Sequence, residues 1–434
     1  MRSASALVAG LVCLICPAFA EDFTTLKGHG GPIMGIAVSE SGEVASASFD
    51  NSVGRWRDLT PTWLEGHAAA VVDLIFLPDG RIASGSDDFS VWIWEGSEGR
   101  ELGRHKGKVT DLAVSRDGML LASASWDGTI GLWSLTDPGA APVMLELRDT
   151  GANDVIFSPD GKLLYVATSK GDILVFDLSA LNGSPPRTLV RYGFAINEMV
   201  LSPDGSWIAY GAVDGVTLVI DSRTGAELHD FTLDRRPVLA MAYHGETRNL
   251  AIGDGHGYIA VISTESWRID RDFLATRKGP VWALAFSPDG SVIWAGGLDS
   301  VVYGWPVELL DRFEPSMGTS HSFLQSPETM SNGERQFMRK CSICHAIEAG
   351  ESRKAGPNLS GVFGRPAGTV PGYRYSGILD GSEIVWTEET IDALFNLGPD
   401  NYIPGSKMPM QQIAAPEDRR DLIDFLKTAT AIGD

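Results

Sequence analysis

The sequence predicts a chain with a large all-β part followed by a small all-α part. A turn motif recurs at a nearly constant period between residue 23 and about residue 310, and a helical pattern begins at Asn332. A chain of 434 residues has room for two or three domains. Its 49 Gly and 12 Trp suit many short strands joined by tight turns, so an all-helical protein is not expected.

Composition and charge narrow the classes of function. Hydrophobic residues make up 44% of the chain, which is enough to build buried cores. Asp and Glu number 56 against 35 Lys and Arg, for a formal net charge of −21. Because such an acidic surface repels phosphate backbones, we expect no nucleic-acid partner.

The first twenty residues have the pattern of a secretory signal peptide. A short apolar run follows Arg2, and small residues stand at −1 and −3 of a cleavage site after Ala20. The alternative is a membrane anchor, but the run is shorter than the roughly 20 residues that span hydrocarbon. We therefore expect residues 1–20 to be removed together with Cys13 and Cys16, leaving an exported, periplasmic protein without a membrane span.

Seven repeats, about 38 to 44 residues apart, fill the first domain. Each repeat contains a turn, and in its complete copies Pro presets φ, Asp caps the turn and Gly takes a positive φ. These turns are residues 39–42, 77–80, 115–118, 158–161, 202–205 and 287–290, with a degraded copy at 243–246. Short stretches of alternating apolar residues flank each turn, and at this period they predict one four-stranded sheet per repeat.

These repeats resemble the WD-repeat β-propeller family. A His opens the early repeats, an Asp sits in the tight turn before the third strand, and a Trp ends that strand. The residues are His29, His67 and His105; Asp50, Asp88, Asp127, Asp214 and Asp299; and Trp56, Trp94, Trp133 and Trp305. The match is strong in repeats one to three and seven. It is weaker in repeats four and six, where Lys170 and His256 stand in place of the Asp.

The resemblance implies an all-β seven-bladed propeller over residues 21–310. It implies that residues 23–26 form a strand beside residues 301–305, which closes the ring and removes its open edges. It also implies that the three repeat-opening histidines make hydrogen bonds within their blades and do not bind metal or catalyse. The blades contain no catalytic constellation, and we identify no catalytic residue.

A tether and a second domain follow. Residues 311–331 are rich in Ser, Thr, Pro, Gly and Met, which is typical of a linker, and residues 332–434 form the second domain. Near its start, Cys341-Ser-Ile-Cys344-His345 is the attachment signature of c-type haem. Both thiols add to haem vinyl groups and the imidazole reaches the iron, so we expect the cysteines on one face of a helix.

Two other uses of this Cys-x-x-Cys pair are possible. A thiol redox pair does not require the histidine that follows. A structural zinc site would need further Cys or His ligands, and none occurs after His345. Thiols of exported proteins also tend to oxidise unless they are captured, which favours haem attachment.

The segment 333–429 resembles class I cytochrome c, close to the mitochondrial type. The motifs that carry the resemblance are residues 356–359 (Gly-Pro-Asn-Leu), 361–365 (Gly-Val-Phe-Gly-Arg), 371–375 (Pro-Gly-Tyr-Arg-Tyr), 386–390 (Trp-Thr-Glu-Glu-Thr) and 402–410. The resemblance implies an all-α fold with one covalent haem c. Cys341 and Cys344 would bear the thioethers, His345 would be the proximal iron ligand, and Met408 the distal one, with Met410 as the alternative.

The resemblance assigns supporting roles as well. The carbonyl of Pro357 would accept a hydrogen bond from the other ring nitrogen of His345. Arg365, Tyr375 and Trp386 match the groups that hydrogen-bond the haem propionates. The first helix would cross the last one, through Gly333 and Phe337 on one side and Leu422 and Phe425 on the other.

Two departures from the mitochondrial type bear on docking and tuning. Phe395 replaces a tyrosine whose hydroxyl lies near the methionine sulfur, and Asp400-Asn401 replaces two lysines at the exposed haem edge. Residues 333–434 hold 11 Lys and Arg against 14 Asp and Glu, whereas the mitochondrial proteins are basic. Lys340 and Lys407 are the obvious cations left at the rim.

Three functions fit these features. The first is electron transfer: His/Met ligation saturates the iron, and the propeller docks partner proteins, among them the redox partner. In the second, the propeller is an oxidoreductase supplied with electrons by the cytochrome domain. This has a fold-level analogy in periplasmic nitrite reductases, although no second haem signature occurs. The third is an assembly scaffold with a structural haem.

Overall fold

The computed structural model describes residues 23–57, 59–137, 139–180, 185–233, 235, 237–276, 279–312, 330–348, 350, 354–379, 381–408 and 411–431. The predicted signal peptide, residues 1–20, lies outside the described residues, as does most of the predicted linker, residues 311–331.

Strands dominate the chain up to residue 306. The described residues contain strands that form seven antiparallel sheets of four. Their bounds are β1 Thr24–Lys27, β2 Ile33–Val38, β3 Val44–Ser48, β4 Ser52–Arg57, β5 Thr60–Glu65, β6 Val71–Phe76, β7 Ile82–Ser86, β8 Ser90–Glu95, β9 Glu98–Arg104, β10 Val109–Val114, β11 Leu120–Ser125, β12 Thr129–Ser134, β13 Val143–Glu146, β14 Ala152–Phe157, β15 Leu163–Thr168, β16 Asp172–Asp177, β17 Arg187–Arg191, β18 Ile196–Leu201, β19 Trp207–Ala212, β20 Thr217–Asp221, β21 Glu227–Asp230, β22 Val238–His244, β23 Asn249–Asp254, β24 Tyr258–Ser263, β25 Arg268–Leu274, β26 Val281–Phe286, β27 Val292–Gly297 and β28 Val301–Pro306.

The seven sheets form a closed ring of blades. Each innermost strand contacts the innermost strand of the next blade, and β26 of the last blade returns to β2 of the first. The outermost strand of the last blade is β1, which pairs antiparallel with β28 so that Thr24 lies opposite Gly304 and Lys27 opposite Val301. This confirms the seven-bladed propeller and the predicted closing strand.

The three repeat-opening histidines bond inside their blades, as predicted. In blade 1 (β2–β5), Trp56 Nε1 donates to Ser46 Oγ at 2.7 Å, and Ser46 Oγ lies 2.8 Å from His29 Nε2. His29 Nδ1 lies 3.0 Å from a carboxylate oxygen of Asp50. Because the ionised carboxylate can only accept, Nδ1–H donates to it, and in the neutral ring Nε2 then accepts from the serine hydroxyl. Blades 2 and 3 repeat this chain at His67 and His105.

In two later blades other residues face the turn carboxylate, one through a hydrogen bond and one through an ion pair. The Tyr192 hydroxyl donates to Asp214 at 2.6 Å in blade 5 (β18–β21), and Arg235 Nε lies 2.9 Å from Asp254 in blade 6 (β22–β25). His256 does stand in the usual Asp position and is exposed. The turn carboxylate of blade 6 comes instead from Asp254, two residues earlier, which accepts from the His256 main-chain N–H at 2.8 Å. The blade requires a donor facing an acceptor, not one residue type.

A row of carboxyl side chains lines the central channel. Asp73, Asp111 and Asp154 lie on the innermost strands of three successive blades, and each accepts a hydrogen bond from a main-chain N–H of the next blade's innermost strand. Glu198 on β18 continues the row, along a channel of about 990 Å³. Burial raises the pKa of Asp73 and of Asp154 to about 7. The row therefore retains protons in weakly acidic solution.

The second domain is helical, as predicted. Its helices are α1 Asn332–Lys340, α2 Glu388–Leu397, α3 Pro399–Tyr402 and α4 Pro416–Ala429, and short 3₁₀ turns occur at Leu178–Ala180, Val307–Arg312 and Gly377–Leu379. Ser331 caps α1 by accepting from Glu334 N–H, and a Thr387 capping box starts α2. The predicted linker thus differs at both ends, because residues 311 and 312 complete a 3₁₀ turn and Ser331 belongs to the cap of α1.

The first helix crosses the last where the sequence predicts it. A Cβ placed on Gly333 would lie 1.9 Å from the Asp421 carbonyl oxygen, so only glycine permits this approach. The Phe337 and Phe425 rings lie 5.6 Å apart, and Leu422 is fully buried beside them. Among the described residues, the helices are too short or too polar to cross a membrane.

Candidate haem-binding site

One crevice in the helical domain brings the predicted site residues together. All eight line it: Cys341, Cys344, His345, Pro357, Arg365, Tyr375, Trp386 and Met408. Buried apolar side chains of α2 and α4, including Ile391, Leu394 and Leu426, complete its walls. The crevice is therefore mostly apolar with a few converging polar groups, which suits a large flat cofactor.

The attachment cysteines lie just beyond α1, and the prediction that both lie on a helix is wrong. The helix ends at Lys340, with Cys341 as its C-cap. A hydrogen-bonded turn continues from there, in which Cys344 N–H and His345 N–H both donate to Cys341 O, at 3.0 and 2.8 Å. This turn still directs both sulfur-bearing side chains and the imidazole into the same crevice.

The imidazole of His345 is held in one orientation. Its Nδ1 lies 2.7 Å from the Pro357 carbonyl oxygen, which can only accept, so Nδ1 carries the proton and Nε2 keeps its lone pair. Burial lowers the pKa of His345, which favours the neutral ring. Gly356 packs against the ring face: a Cβ there would lie 2.4 Å from His345 Cε1. An unhindered Nε2 is what an iron ligand requires.

The two thiols are suited to attachment and not to redox exchange. They are free cysteines, not a disulfide. Burial raises the pKa of Cys341 to about 12, and burial also raises the pKa of Cys344. Thiol–disulfide oxidoreductases need the opposite, a lowered pKa that supplies thiolate near neutral pH. Among the described residues, no cluster of three or more His, Cys, Asp or Glu side chains is arranged to bind a metal.

Met408 lines the crevice from a loop that follows α3. Lys407 Nζ donates to the Arg374 carbonyl oxygen at 3.1 Å, which ties this loop to the segment carrying Tyr375. Phe395, the residue in place of the usual tyrosine, is 5% exposed and adds only apolar surface. Met410, the alternative ligand, lies outside the described residues.

The three residues predicted to meet the propionates lie in the same crevice. Arg365 donates to the carbonyl oxygens of Ser360 and Asn358, at 2.7 and 2.9 Å, and Val370 N–H donates to the Tyr375 hydroxyl oxygen at 3.2 Å. Their contact with propionates remains a prediction.

Sequence reasoning gave no role to Tyr373, which also lines the crevice. Its hydroxyl donates to the Ala355 carbonyl oxygen at 2.6 Å, and its ring centroid lies 4.7 Å from that of Tyr375. The Pro-Gly-Tyr-Arg-Tyr motif contains it and was the available signal.

The donor set fits haem c. Two thiols, an imidazole with a fixed tautomer and a thioether surround an apolar crevice, and these are the groups that attach and ligate haem in c-type cytochromes.

Comparisons with known proteins agree with both parts of the chain. The model of the WD domain, G-beta repeat family matches residues 21–57, 59–95, 96–134 and 271–305, the same four repeats that the sequence marks as strong. The model of the Cytochrome c family matches residues 330–430.

Individual relatives match the second domain over most of their length. Cytochrome c of Sesamum indicum is 45% identical over 112 residues, which is 25% of this chain and 99% of that protein. Cytochrome c of Cannabis sativa is 43% identical over 112 residues, again 25% and 99%. Cytochrome c of Ulva intestinalis is 43% identical over 106 residues, or 24% and 94%. Through its carboxy-terminal domain, which matches mitochondrial-type proteins, this chain belongs to the cytochrome c family, and it carries that domain behind a seven-bladed propeller of WD repeats.

Proposed function

We propose that this protein is an exported, periplasmic electron carrier that moves one electron at a time on a single His/Met-ligated haem c, with the propeller as a docking platform for partner proteins. Membership of the cytochrome c family implies electron carrying by covalently bound haem c. We propose in addition that the chain binds one haem, that His345 and Met408 ligate its iron, that the protein lies in the periplasm and that the propeller docks partners.

The observation that carries the proposal is the pair of axial donors in one crevice. His345 reaches it with Nδ1–H donated to the Pro357 carbonyl oxygen at 2.7 Å, and Met408 lines the same crevice. A haem bound there would supply reversible one-electron exchange at its iron. With both axial positions filled by protein, substrate would have no position to occupy on the metal.

The chain's own residues would hold the reduced and oxidised forms in nearly the same structure. Cys341 and Cys344 would fix the porphyrin edge, and the Pro357 carbonyl would keep the imidazole from rotating and make it a stronger donor. Apolar side chains of α2 and α4 would exclude water from most of the porphyrin. The methionine thioether and the dry surroundings would both favour a high reduction potential.

The docking role of the propeller is supported by its architecture. A closed ring of seven blades offers broad faces built from loops, and the pairing of β1 with β28 completes its last blade. Covalent linkage keeps the haem domain near whatever the ring binds, which raises its effective concentration there. The periplasmic location rests on the signal-peptide pattern of residues 1–20.

The test uses the full chain expressed with a working haem-maturation system. We expect one covalent haem per chain, a low-spin spectrum with a methionine–iron charge-transfer band, and reversible one-electron titration. The double variant Cys341→Ala, Cys344→Ala should lose the covalent haem while its propeller unfolds at the same temperature as in the wild type.

Other outcomes would replace this function. A high-spin ferric haem that binds carbon monoxide rapidly would favour the oxidoreductase alternative. Partner proteins that co-purify equally with the double variant, together with a haem that does not titrate, would favour the scaffold.

A further inference from the structure

The propeller contributes to the lining of the haem crevice. Six of its residues complete that lining: Phe49, Asn51, Ala68, Ala69, Ala70 and Asp87. They belong to the β3–β4 turn, the β5–β6 loop and the β7–β8 turn of blades 1 and 2. In a four-stranded antiparallel blade, the turn after the second strand and the loop to the next blade lie at the same end. All six residues therefore belong to one face of the ring, which we call the blade 1–2 face.

The cytochrome side of this contact is the mouth of the crevice. Lys340 and Lys407 line the cavity, and Lys340 directly precedes Cys341 in the chain. A haem attached through Cys341 and Cys344 would exchange electrons most readily through the part of the crevice that opens to the surface. The blade 1–2 face therefore lies over the part of the domain that a redox partner needs.

Charge on the two sides is complementary. Residues 21–310 hold 39 Asp and Glu against 22 Lys and Arg, whereas the crevice mouth carries lysines. Within the crevice lining itself, the blade 1–2 face supplies the Asp87 carboxylate and the cytochrome domain supplies the Lys340 and Lys407 ammonium groups.

We infer that the blade 1–2 face is a docking surface for the haem edge of the chain's own cytochrome domain, and that electron exchange with another protein requires the two to separate. The inference rests on the proposed electron-carrier function. The small side chains of Ala68, Ala69 and Ala70 permit close approach, and Asp87 lines the same crevice as Lys340 and Lys407, whose positive charges attract it. Such attractions are weak and screened by salt, so the docked form can open.

The test is a substitution in the blade 1–2 face of the full-length holoprotein that blocks docking by its size and its charge. Ala69→Arg puts a bulky cation against the lysine rim. The matched control is Phe194→Arg, in the equivalent loop before blade 5. Ala69 stands two positions after His67, the donor of blade 2, and Phe194 stands two positions after Tyr192, the donor of blade 5. Phe194 is 55% exposed and is not part of the crevice lining.

Two readouts report docking. The first is acetylation of Lys340 and Lys407, followed by mass spectrometry, which does not depend on haem oxidation. The second is the stopped-flow rate at which uncharged 1,4-benzoquinone oxidises the ferrous protein. If about nine-tenths of the molecules are docked at low salt, Ala69→Arg raises the oxidation rate about tenfold and increases labelling of both lysines. Phe194→Arg changes neither the labelling nor the rate. Raising the salt from about 10 mM to about 500 mM should bring the labelling and the oxidation rate of the wild type closer to those of Ala69→Arg.

Equal labelling and equal rates for wild type, Ala69→Arg and Phe194→Arg at low salt would overturn the docking inference. Absence of a titratable haem would instead overturn the proposed function, and the labelling result would still decide docking. If Ala69→Arg does not fold, Asp87→Lys tests the contact by reversing the charge that the blade 1–2 face brings to the crevice. It should raise Lys340 labelling and the oxidation rate, and an unchanged result would refute the inference.

Discussion

The propeller and the cytochrome domain use buried polar side chains in opposite ways. The propeller repeats one donor–carboxylate bond from blade to blade, and the donor is histidine in blade 1, Tyr192 in blade 5 and Arg235 in blade 6. In the haem crevice each polar contact occurs once, as with His345 and the Pro357 carbonyl. Where a contact recurs in several blades, different donor residues can make it. Where a contact occurs once, as in the haem crevice, it depends on one particular residue. Substitutions should therefore have graded effects in the ring and near-complete effects in the crevice.

The largest effect is expected at the distal ligand. Met408→Ala removes the thioether that we assign to the iron, so it should lower the reduction potential, convert the haem to a high-spin form and allow carbon monoxide to bind. Redox titration and absorption spectroscopy of the purified holoprotein measure all three. Met410→Ala is the matched control and should change none of them. The reverse pattern would make Met410 the ligand.

The helix crossing of the cytochrome domain comes next. Gly333→Ala forces a Cβ to within 1.9 Å of the Asp421 carbonyl oxygen, so α1 and α4 must move apart. We expect a loss of about 3 kcal/mol in the free energy of unfolding of this domain, measured by denaturant titration of the haem absorbance. Gly377→Ala is the control, because its added Cβ meets no atom within 4 Å. Equal losses in the two variants would show that the close approach is not the cause.

The carboxyl row of the propeller predicts a dependence of stability on pH. Burial raises the pKa of Asp73 and Asp154 to about 7, and burial also raises the pKa of Asp111 and Glu198. Between the unfolded value of about 4 and pH 7 the folded ring binds more protons than the unfolded chain. Its stability is therefore fully present in acid and is lost as the pH rises through that window, by up to about 1.4 kcal/mol per pH unit for each proton released.

Urea unfolding of the propeller at pH 5 and pH 8, followed by tryptophan fluorescence, measures this loss. Asp111→Asn removes the carboxyl between Asp73 and Asp154 and should make the dependence shallower. A ring that becomes more stable as the pH rises would contradict the conclusion that the carboxyl row retains protons in weakly acidic solution.

The smallest effect is expected at a replaced donor. Tyr192→Phe deletes the hydroxyl that donates to Asp214 at 2.6 Å and should cost the ring about 1 kcal/mol, with the haem spectrum unchanged. The exposed His256→Ala should stay within about 0.5 kcal/mol of the wild type. Thermal unfolding of both variants provides the comparison. A loss for Tyr192→Phe as large as that for Gly333→Ala would remove the contrast between the two domains.

The sequence predicts those parts of the propeller in which a particular residue type is needed for a particular local geometry. The turn residues, the histidine chains and the closing strand follow from local chemistry and a constant period, and the structure confirms them. The donors of blades 5 and 6 were missed because the family pattern specifies histidine and aspartate. The physical requirement is only a donor close to a carboxylate, which Tyr192 and Arg235 also meet.

The crevice was predictable for a different reason. Spacing within Cys341-Ser-Ile-Cys344-His345 is fixed by the size of the porphyrin, so a short motif identifies it. The end of α1 at Lys340 was not predictable from that motif, because a helical turn and a hydrogen-bonded non-helical turn place residues three apart almost equally. The propeller residues that line the crevice could not be predicted either, because a periodic sequence pattern does not indicate which loops of one domain contact the other domain.

The closing strand is the first part of the ring to be synthesised and the last to find its place. Thr24 must wait for Gly304, 280 residues later, before β1 and β28 can pair. At roughly 5 to 20 residues per second, a nascent chain spends on the order of half a minute as an open arc with an unpaired flank. During that interval, association with another arc competes with closure, so a chaperone or rapid synthesis of the last blade has its greatest value there. The order of the residues thereby makes closure of the ring wait for its last blade.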